Sequence, residues 1–259
     1  MITIASPQNP KIKELVALRE SRERRRTSLF VIEGAREIDR AIESGFICRT
    51  LYVEDSLLSD DARRLVSRLP QTIQFGITKD VFAKAAVREG SDGVLAVMEC
   101  KSYTFDDLKV KGPAFLLVLE NLEKPGNFGA LARSADGAGV DAIIVLDPKA
   151  DIYNPNAIRS SVGALFSQPI LTCTHEQFFE YIKKQSIKIV AATPHATNFH
   201  HQADLKGSLA LVLGSEAWGL SGAWKDAEPI KIPMKGIADS LNVSVAGAII
   251  MYEILRQRS

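Results

Sequence analysis

Residues 232–255 read IPMKGIADSLNVSVAGAIIMYEIL, and the rest of the chain is best read outward from them. A short strand enters through Ile230, Pro233 ends sheet pairing because it has no N–H, and Gly236 gives the backbone a free turn. Ser240 and Asn242 stand where capping residues belong. Val243, Val245, Ala246, Ala248, Ile249, Ile250, Met251 and Ile254 then predict a helix too apolar to be exposed. Gly247 inside that helix costs about 1 kcal/mol relative to alanine, so its presence points to close approach by a neighbouring element. The result is a polar loop mounted on the N-terminus of a buried helix, where free N–H groups can hold ligand atoms. A well-capped core helix with no ligand would give the same stretch, so the neighbouring segments must decide.

Two earlier segments repeat the design. AFLLVLEN, residues 114–121, is a near-continuous apolar strand of the kind found in parallel sheets covered on both faces. It leads into LEKPGNFGALARSADGAGVDAIIVLDP, where Pro125 and Gly126 turn the chain, Asn127 starts a helix, Gly137 and Gly139 close it, and DAIIVL is the next strand of a βαβ unit. Helical side chains lean toward the N-terminus, and Gly129 and Ala130 leave Arg133 an open path back toward Asn127. NPNAIRSSVGALF and EQFFEYIKKQ read as helices, and IKIVAATP as a strand ending at Thr193. SLALVLGSEAWGLS is again an apolar strand, followed by a tight loop containing Gly214, Ser215, Glu216 and Gly219. Ligands of α/β sheets bind just outside such strand ends.

The N-terminal third carries uneven charge. Between Lys11 and Arg26 stand seven basic residues (Lys11, Lys13, Arg19, Arg22, Arg24, Arg25, Arg26) against three acidic ones (Glu14, Glu20, Glu23). Ile12, Leu15, Val16 and Leu18 have helical spacing, so the arginines extend from a helix docked on one face. They suit an electrostatic grip on a phosphate backbone, although a solvated helix end would look the same. LFVIEG, ICRTLYVED, TIQFGI and DGVLAVME then read as strands, alternating with the helices AREIDRAIESG, LLSDDARRLVSRL and TKDVFAKAAVRE. This makes an α/β layer structure, and the polar stretch CKSYTFDDLKVKGP places a domain boundary near residues 100–113.

Composition excludes several classes. With 259 residues, 46% hydrophobic and 24% charged, the chain can bury a full core in one or two domains. No apolar run reaches the roughly 18 residues of a membrane span, and MITIASPQNPK is not built like a signal peptide, so the expected location is cytoplasmic, away from membranes. Cys48, Cys100 and Cys173 are odd in number and widely spaced, which supports neither a disulfide framework nor a CxxC site. His195, His200 and His201 have no second cluster at metal spacing, so no metal is expected. A dinucleotide fingerprint, a P-loop and a G-x-S-x-G elbow are all missing. The net charge of +1 neither favours nor opposes an RNA partner.

Taken together, NLEKPGNFGALARSADGAG (121–139), LVLGSEAWGLS (211–221) and IPMKGIADSLNVSVAGAI (232–249) closely resemble the three motifs of the SpoU/TrmH family of RNA ribose 2'-O-methyltransferases, a branch of the SPOUT class. Residues 6–38 are similar to the substrate-binding domain that many members carry in front. The resemblance implies an α/β catalytic domain over residues 113–259, with a mostly parallel sheet and a deep trefoil knot. A smaller ribosomal-protein-like α/β/α domain that binds substrate RNA would cover residues 1–105. It further implies S-adenosylmethionine as methyl donor, a ribosomal or transfer RNA substrate, and a homodimer packed partly through the last helix. Threaded loops are rare exceptions in proteins, so the knot comes from the resemblance alone.

Carried over residue by residue, the resemblance assigns catalytic positions to Asn127, Arg133, Glu216, Ser240 and Asn242, and donor contacts to Thr193, Leu213, Gly214, Ile232, Met234 and Leu241. Lys11, Lys13, Arg22, Arg24, Arg25 and Arg26 are the expected RNA contacts. Lys124 replaces a usual acidic residue and Ser134 a common threonine, which bears on substrate detail. A guanidinium is almost always charged and makes a poor base, so Arg133 is read as a phosphate clamp that stabilises a developing alkoxide. Ser240 and Asn242 would position the hydroxyl, and Glu216 would orient the arginine or the loop. The competing readings are a catalytically inactive RNA-binding factor of the same fold and a SPOUT enzyme methylating a base nitrogen. The five motif residues oppose the first, and the SLNVS pattern with its matching arginine opposes the second.

Overall fold

The computed structural model describes residues 1–87, 91–146, 151–215 and 218–259. In chain order the first elements are β1 (Ile2–Ile4), α1 (Pro10–Ala17), α2 (Ser21–Thr27), β2 (Leu29–Glu33), α3 (Ala35–Glu43), β3 (Cys48–Val53), α4 (Asp60–Arg68), β4 (Gln74–Ile77), α5 (Lys79–Ala85) and β5 (Val94–Glu99). There follow β6 (Phe115–Leu119), α6 (Pro125–Ala138), β7 (Ala142–Val145), α7 (Pro155–Ser161), β8 (Ile170–Thr172), α8 (His175–Gln185) and β9 (Lys188–Ala192). The last are β10 (Asn198–Phe199), β11 (Leu209–Leu213), β12 (Glu228–Lys231) and α9 (Val243–Arg258).

Two compact units result. The first comprises Met1–Lys101 with Tyr153–Ser167, and the second Ser102–Ile152 with Gln168–Ser259. A single cut between residues 105 and 113, as the sequence suggested, would leave Tyr153–Ser167 with the second unit. Side-chain packing places it with the first: Tyr153 stacks on Phe30 at 4.3 Å between ring centroids, and Phe166 meets Phe46 edge-on at 5.1 Å. Arg40 also donates to the carbonyl of Val162 at 2.5 Å.

The first unit has a five-stranded sheet in the order β1-β4-β3-β5-β2, parallel at β1–β4–β3 and antiparallel where β5 meets β3 and β2. Strand alternation sorts its two faces. Ile12, Leu15 and Leu18 from α1 and its C-cap, with Val81, Phe82 and Ala85 from α5, pack on Tyr52, Ile77, Leu95 and Val97. Phe30 and Ile32 point the other way and are fully buried.

The second unit is a seven-stranded, wholly parallel sheet in the order β10-β12-β9-β11-β6-β7-β8. Every residue of β6 and β11 is buried, which is why these strands read as unbroken apolar runs. Leu116, Val118, Ile144 and Val212 form one core face with Phe178 and Ile182 of α8. On α9, Gly247 faces Leu131 of α6 and Leu213 of β11 so closely that an added Cβ would lie 2.5 Å from one and 2.7 Å from the other. The close approach expected at Gly247 is therefore present. The expectation of a wholly buried α9 needs correction: Val245, Ile249 and Tyr252 form a stripe that is 47, 37 and 51% exposed. Because all strands are parallel, their C-terminal ends share one edge of the sheet, and the loops leaving them gather there.

Candidate active site

The ends of β9, β11 and β12 open onto a cleft of about 610 Å³. Thr193, Leu213, Gly214, Ile232, Met234 and Leu241 all line it, together with Ser240 and Asn242. Leu213, Ile230 and Ile250 make its walls apolar, while the strand-end loops supply polar groups. Gly214 has no room for a side chain, because a Cβ there would run into the backbone of Gly219, and Gly219 itself takes the left-handed φ of 66°. Two backbone hydrogen bonds between Ser215 and Gly219, of 3.2 and 3.0 Å, close this turn against the cleft.

Asn242 caps α9. Its Oδ1 accepts from the N–H of Ser244 at 2.9 Å and from its hydroxyl at 2.6 Å. Its Nδ2 donates to Oδ1 of Asn127 at 3.3 Å, joining the first turn of α6 to the start of α9 across 115 residues. The glycines make this meeting possible: Gly247 admits Leu131 and Leu213, and a Cβ on Gly137 would lie 2.7 Å from the hydroxyl of Tyr252. Arg133 lies on α6 with its side chain exposed. It makes no hydrogen bond or ion pair among the described residues and is not part of the cleft lining. Ser240 and Asn242 thus line the cleft and Asn127 is tied to Asn242, while Arg133 is outside the lining. Glu216 lies outside the described residues.

One functional group escaped the sequence reading. Glu120, directly after β6, is fully buried, and its carboxylate accepts from the N–H of Ser221 at 2.8 Å and from its hydroxyl at 2.6 Å. Nε2 of His175 is 2.7 Å away. Burial acts to raise the Glu120 pKa, but hydrogen bonds from Ser221 and His175 outweigh it and the net direction is downward. Glu120 therefore pins the chain immediately after Leu220, which lines the cleft. An acid closing an otherwise apolar strand was the available signal. Its partners, 55 and 101 residues away, left no trace in local pattern.

In the first unit, Lys11, Lys13, Arg22, Arg25 and Arg26 are exposed. Lys11 sits over the Phe75 ring at 4.7 Å, and Arg26 pairs with Glu23 at 2.8 Å. Arg24 is a correction to the expected RNA contacts. It is 3% exposed, and its Nη1 donates at 2.5 Å to the carbonyl of Leu18, one of the orphan acceptors that a helix C-terminus leaves. No group of three or more His, Cys, Asp or Glu able to hold a metal occurs among the described residues, and no described helix is long and apolar enough to cross a membrane.

The sequence profile of the SpoU rRNA Methylase family matches residues 114–252, more than half of the 259 residues and the whole span from β6 to the middle of α9. The chain belongs to this family. A second profile, that of the MRM3-like substrate binding domain, matches residues 9–96. This SpoU methylase is 27% identical to the 23S rRNA (guanosine(2553)-2'-O)-methyltransferase RlmP of Bacillus subtilis, over 98% of this chain and 99% of that one. A crystal structure of an RNA 2'-O ribose methyltransferase is similar with a TM-score of 0.87 and 38% identity, covering 99% of both chains. The SpoU methyltransferase AviRb from Streptomyces viridochromogenes, in complex with the cofactor AdoMet, matches with a TM-score of 0.88 and 29% identity over 97% of this chain and 98% of that one.

Proposed function

We propose that this SpoU family member transfers a methyl group from S-adenosylmethionine to a ribose 2'-hydroxyl of ribosomal RNA, with the first unit holding the RNA. The observation that carries the reading is the Asn127–Asn242 hydrogen bond beside the cleft, which brings the first and third sequence motifs together where the strand ends can hold a ligand. The residues present fit the donor. A volume of about 610 Å³ falls within the roughly 300–1,000 Å³ of small-molecule sites, and apolar walls with polar loop ends suit an amphipathic nucleoside. Thr193, Leu213, Gly214, Ile232, Met234 and Leu241 would hold it. When bound, it supplies an electrophilic methyl on a sulfonium sulfur, so no metal is required.

The protein's share of the work is placement. Ser240 and Asn242 would orient the ribose hydroxyl, and Asn127 would fix Asn242. Arg133, exposed and without a protein partner among the described residues, is available to an RNA phosphate, where a fork of N–H donors would hold the backbone and stabilise the oxyanion. Glu216 would orient that arginine or its own loop. Arg22, Arg25 and Arg26 with Lys11 and Lys13 would add sequence-independent affinity. The Bacillus subtilis relative is named as an enzyme acting on 23S rRNA, which disfavours an inactive RNA-binding factor.

The Val245, Ile249 and Tyr252 stripe supports a homodimer through α9, and Ile249→Asp should convert dimer to monomer in light scattering. The reading also includes a deep trefoil knot at the loops after β9, β11 and β12; a chain pulled from both ends should stop short of full extension. Methyl transfer itself is tested by mapping ribose methylation in ribosomal RNA from cells with and without the gene. One nucleotide should lose its methyl group and regain it on incubation with protein and donor. An identical map in both cells, with no transfer in vitro, would overturn the reading.

A further inference from the structure

Trp218 has no place in the machinery described so far. It is 85% exposed, whereas the only other tryptophan, Trp224, is buried at 6%. A large aromatic side chain left in water forfeits the burial that usually accounts for its presence, which marks it as a contact group. Its backbone is held firmly: the N–H of Trp218 donates to Oγ of Ser215 at 3.0 Å, inside the turn that Ser215 and Gly219 close with paired backbone hydrogen bonds. The indole is thus mounted on a braced turn at the rim of the cleft, whose lining also carries Lys231 and Asp239. Leu213, Ile230 and Ile250 are the buried apolar part of the cleft lining, whereas 85% of Trp218 stays in water. An exposed flat aromatic surface at the rim of a polar cleft matches what single-stranded RNA requires, since unstacked bases lie on aromatic side chains.

The geometry points to Trp218 as a platform on which an unpaired base next to the methylated ribose stacks. The inference rests on the reading of this cleft as an RNA 2'-O-methylation site, and it adds the group that would fix the nucleotide beside the target. Stacking makes little demand on base identity, so Trp218 sets the position of the strand, and sequence is read elsewhere.

The test uses the full-length protein and transcribed fragments of 23S ribosomal RNA. Trp218→Ala should weaken binding of the methylated fragment about 5- to 150-fold, the loss expected for one base–aromatic stack, and leave S-adenosylmethionine affinity unchanged. Trp218→Phe should recover most of that loss. Because the chain has two tryptophans, a Trp224→Phe protein reports on Trp218 alone. Its emission should be open to acrylamide before RNA is added and quenched by RNA. If Trp224→Phe does not fold, the difference between wild-type and Trp218→Phe emission gives the same signal. Unchanged RNA binding in Trp218→Ala, emission indifferent to RNA, or emission shielded from acrylamide in the RNA-free protein by a second copy would each overturn the platform. So would an equal loss of donor affinity, which would place the ring against the donor. Quenching by RNA without methylation of any fragment would keep the platform and overturn the methylation reading. Methylation with full affinity in Trp218→Ala would do the reverse.

Discussion

Gly247→Ala sets two effects of known size against each other. Helix propensity alone favours alanine in α9 by about 1 kcal/mol. Packing opposes it: the new Cβ would lie 2.5 Å from Cδ2 of Leu131 and 2.7 Å from Cδ1 of Leu213. Carbon atoms rest at about 3.5–4.0 Å, so each methyl must retreat by roughly 1 Å. Leu131 is 0% exposed, and Leu213, 2% exposed, can retreat only at the expense of the cleft it lines. Overpacking of this kind costs about 1–3 kcal/mol, which leaves a net loss of about 0–2 kcal/mol. For a protein of this size a loss of about 1 kcal/mol lowers Tm by roughly 2–4 °C. Leu213 also lines the cleft, so the same displacement should weaken S-adenosylmethionine binding. Gly137→Ala is the contrast: its Cβ meets only the hydroxyl tip of Tyr252, a half-exposed side chain able to swing away, so up to about 1 kcal/mol of propensity gain should survive. Thermal melts by circular dichroism and calorimetric donor titrations read both variants. A Gly247→Ala protein that melts above wild type and binds donor equally well would refute the packing argument.

Glu120 is held below its ordinary pKa, so the stability it contributes is full above the usual carboxylate value of about 4.3 and is lost as pH falls through its lowered folded value. Glu120→Gln should therefore be less stable at neutral pH and show a shallower fall in Tm on acidification; parallel Tm-against-pH curves would reject this. Replacing Arg22, Arg25 and Arg26 by alanine should flatten the salt dependence of RNA binding by up to about 0.9 log unit for each duplex phosphate no longer neutralised, with donor affinity unmoved. An unchanged slope would return this segment to a solvated surface. Arg133→Lys separates a clamp from a base: the clamp reading expects poor single-turnover methyl transfer from about pH 7 to pH 10, whereas recovery toward lysine's reference pKa of about 10.4, beyond the rise in wild type, would make the arginine the proton acceptor.

The sequence was most informative where one physical cause dominates a stretch. β6 and β11 are buried on both faces, so nothing but their length and apolarity was needed to read them as parallel strands. Asn242 announced the start of α9 because a cap is a local hydrogen bond, and Gly247 announced a close approach because a helix does not otherwise favour it. Reading failed where the deciding partner is distant. Arg24 counted as surface charge until the carbonyl of Leu18 turned it inward. β1 and β10, three and two residues long, are too short to show periodicity, and exist because β4 and β12 offer them edges.

The return of Tyr153–Ser167 to the first unit bears on the order of events during synthesis. At about 5–20 residues per second, roughly 3–10 seconds separate the emergence of Lys101 from that of Tyr153, and in that interval β6, α6 and β7 are already being made. Until then Phe30 and Phe46 lack the rings that cover them, so the N-terminal part waits with an unfinished apolar face. A fragment ending at Lys101 should be prone to aggregation, and supplying residues 153–167 as a peptide should restore its solubility. The two halves of this protein are interleaved in time as well as in sequence, and a gene fusion that separates them at the obvious linker would cut through a domain that has not yet closed.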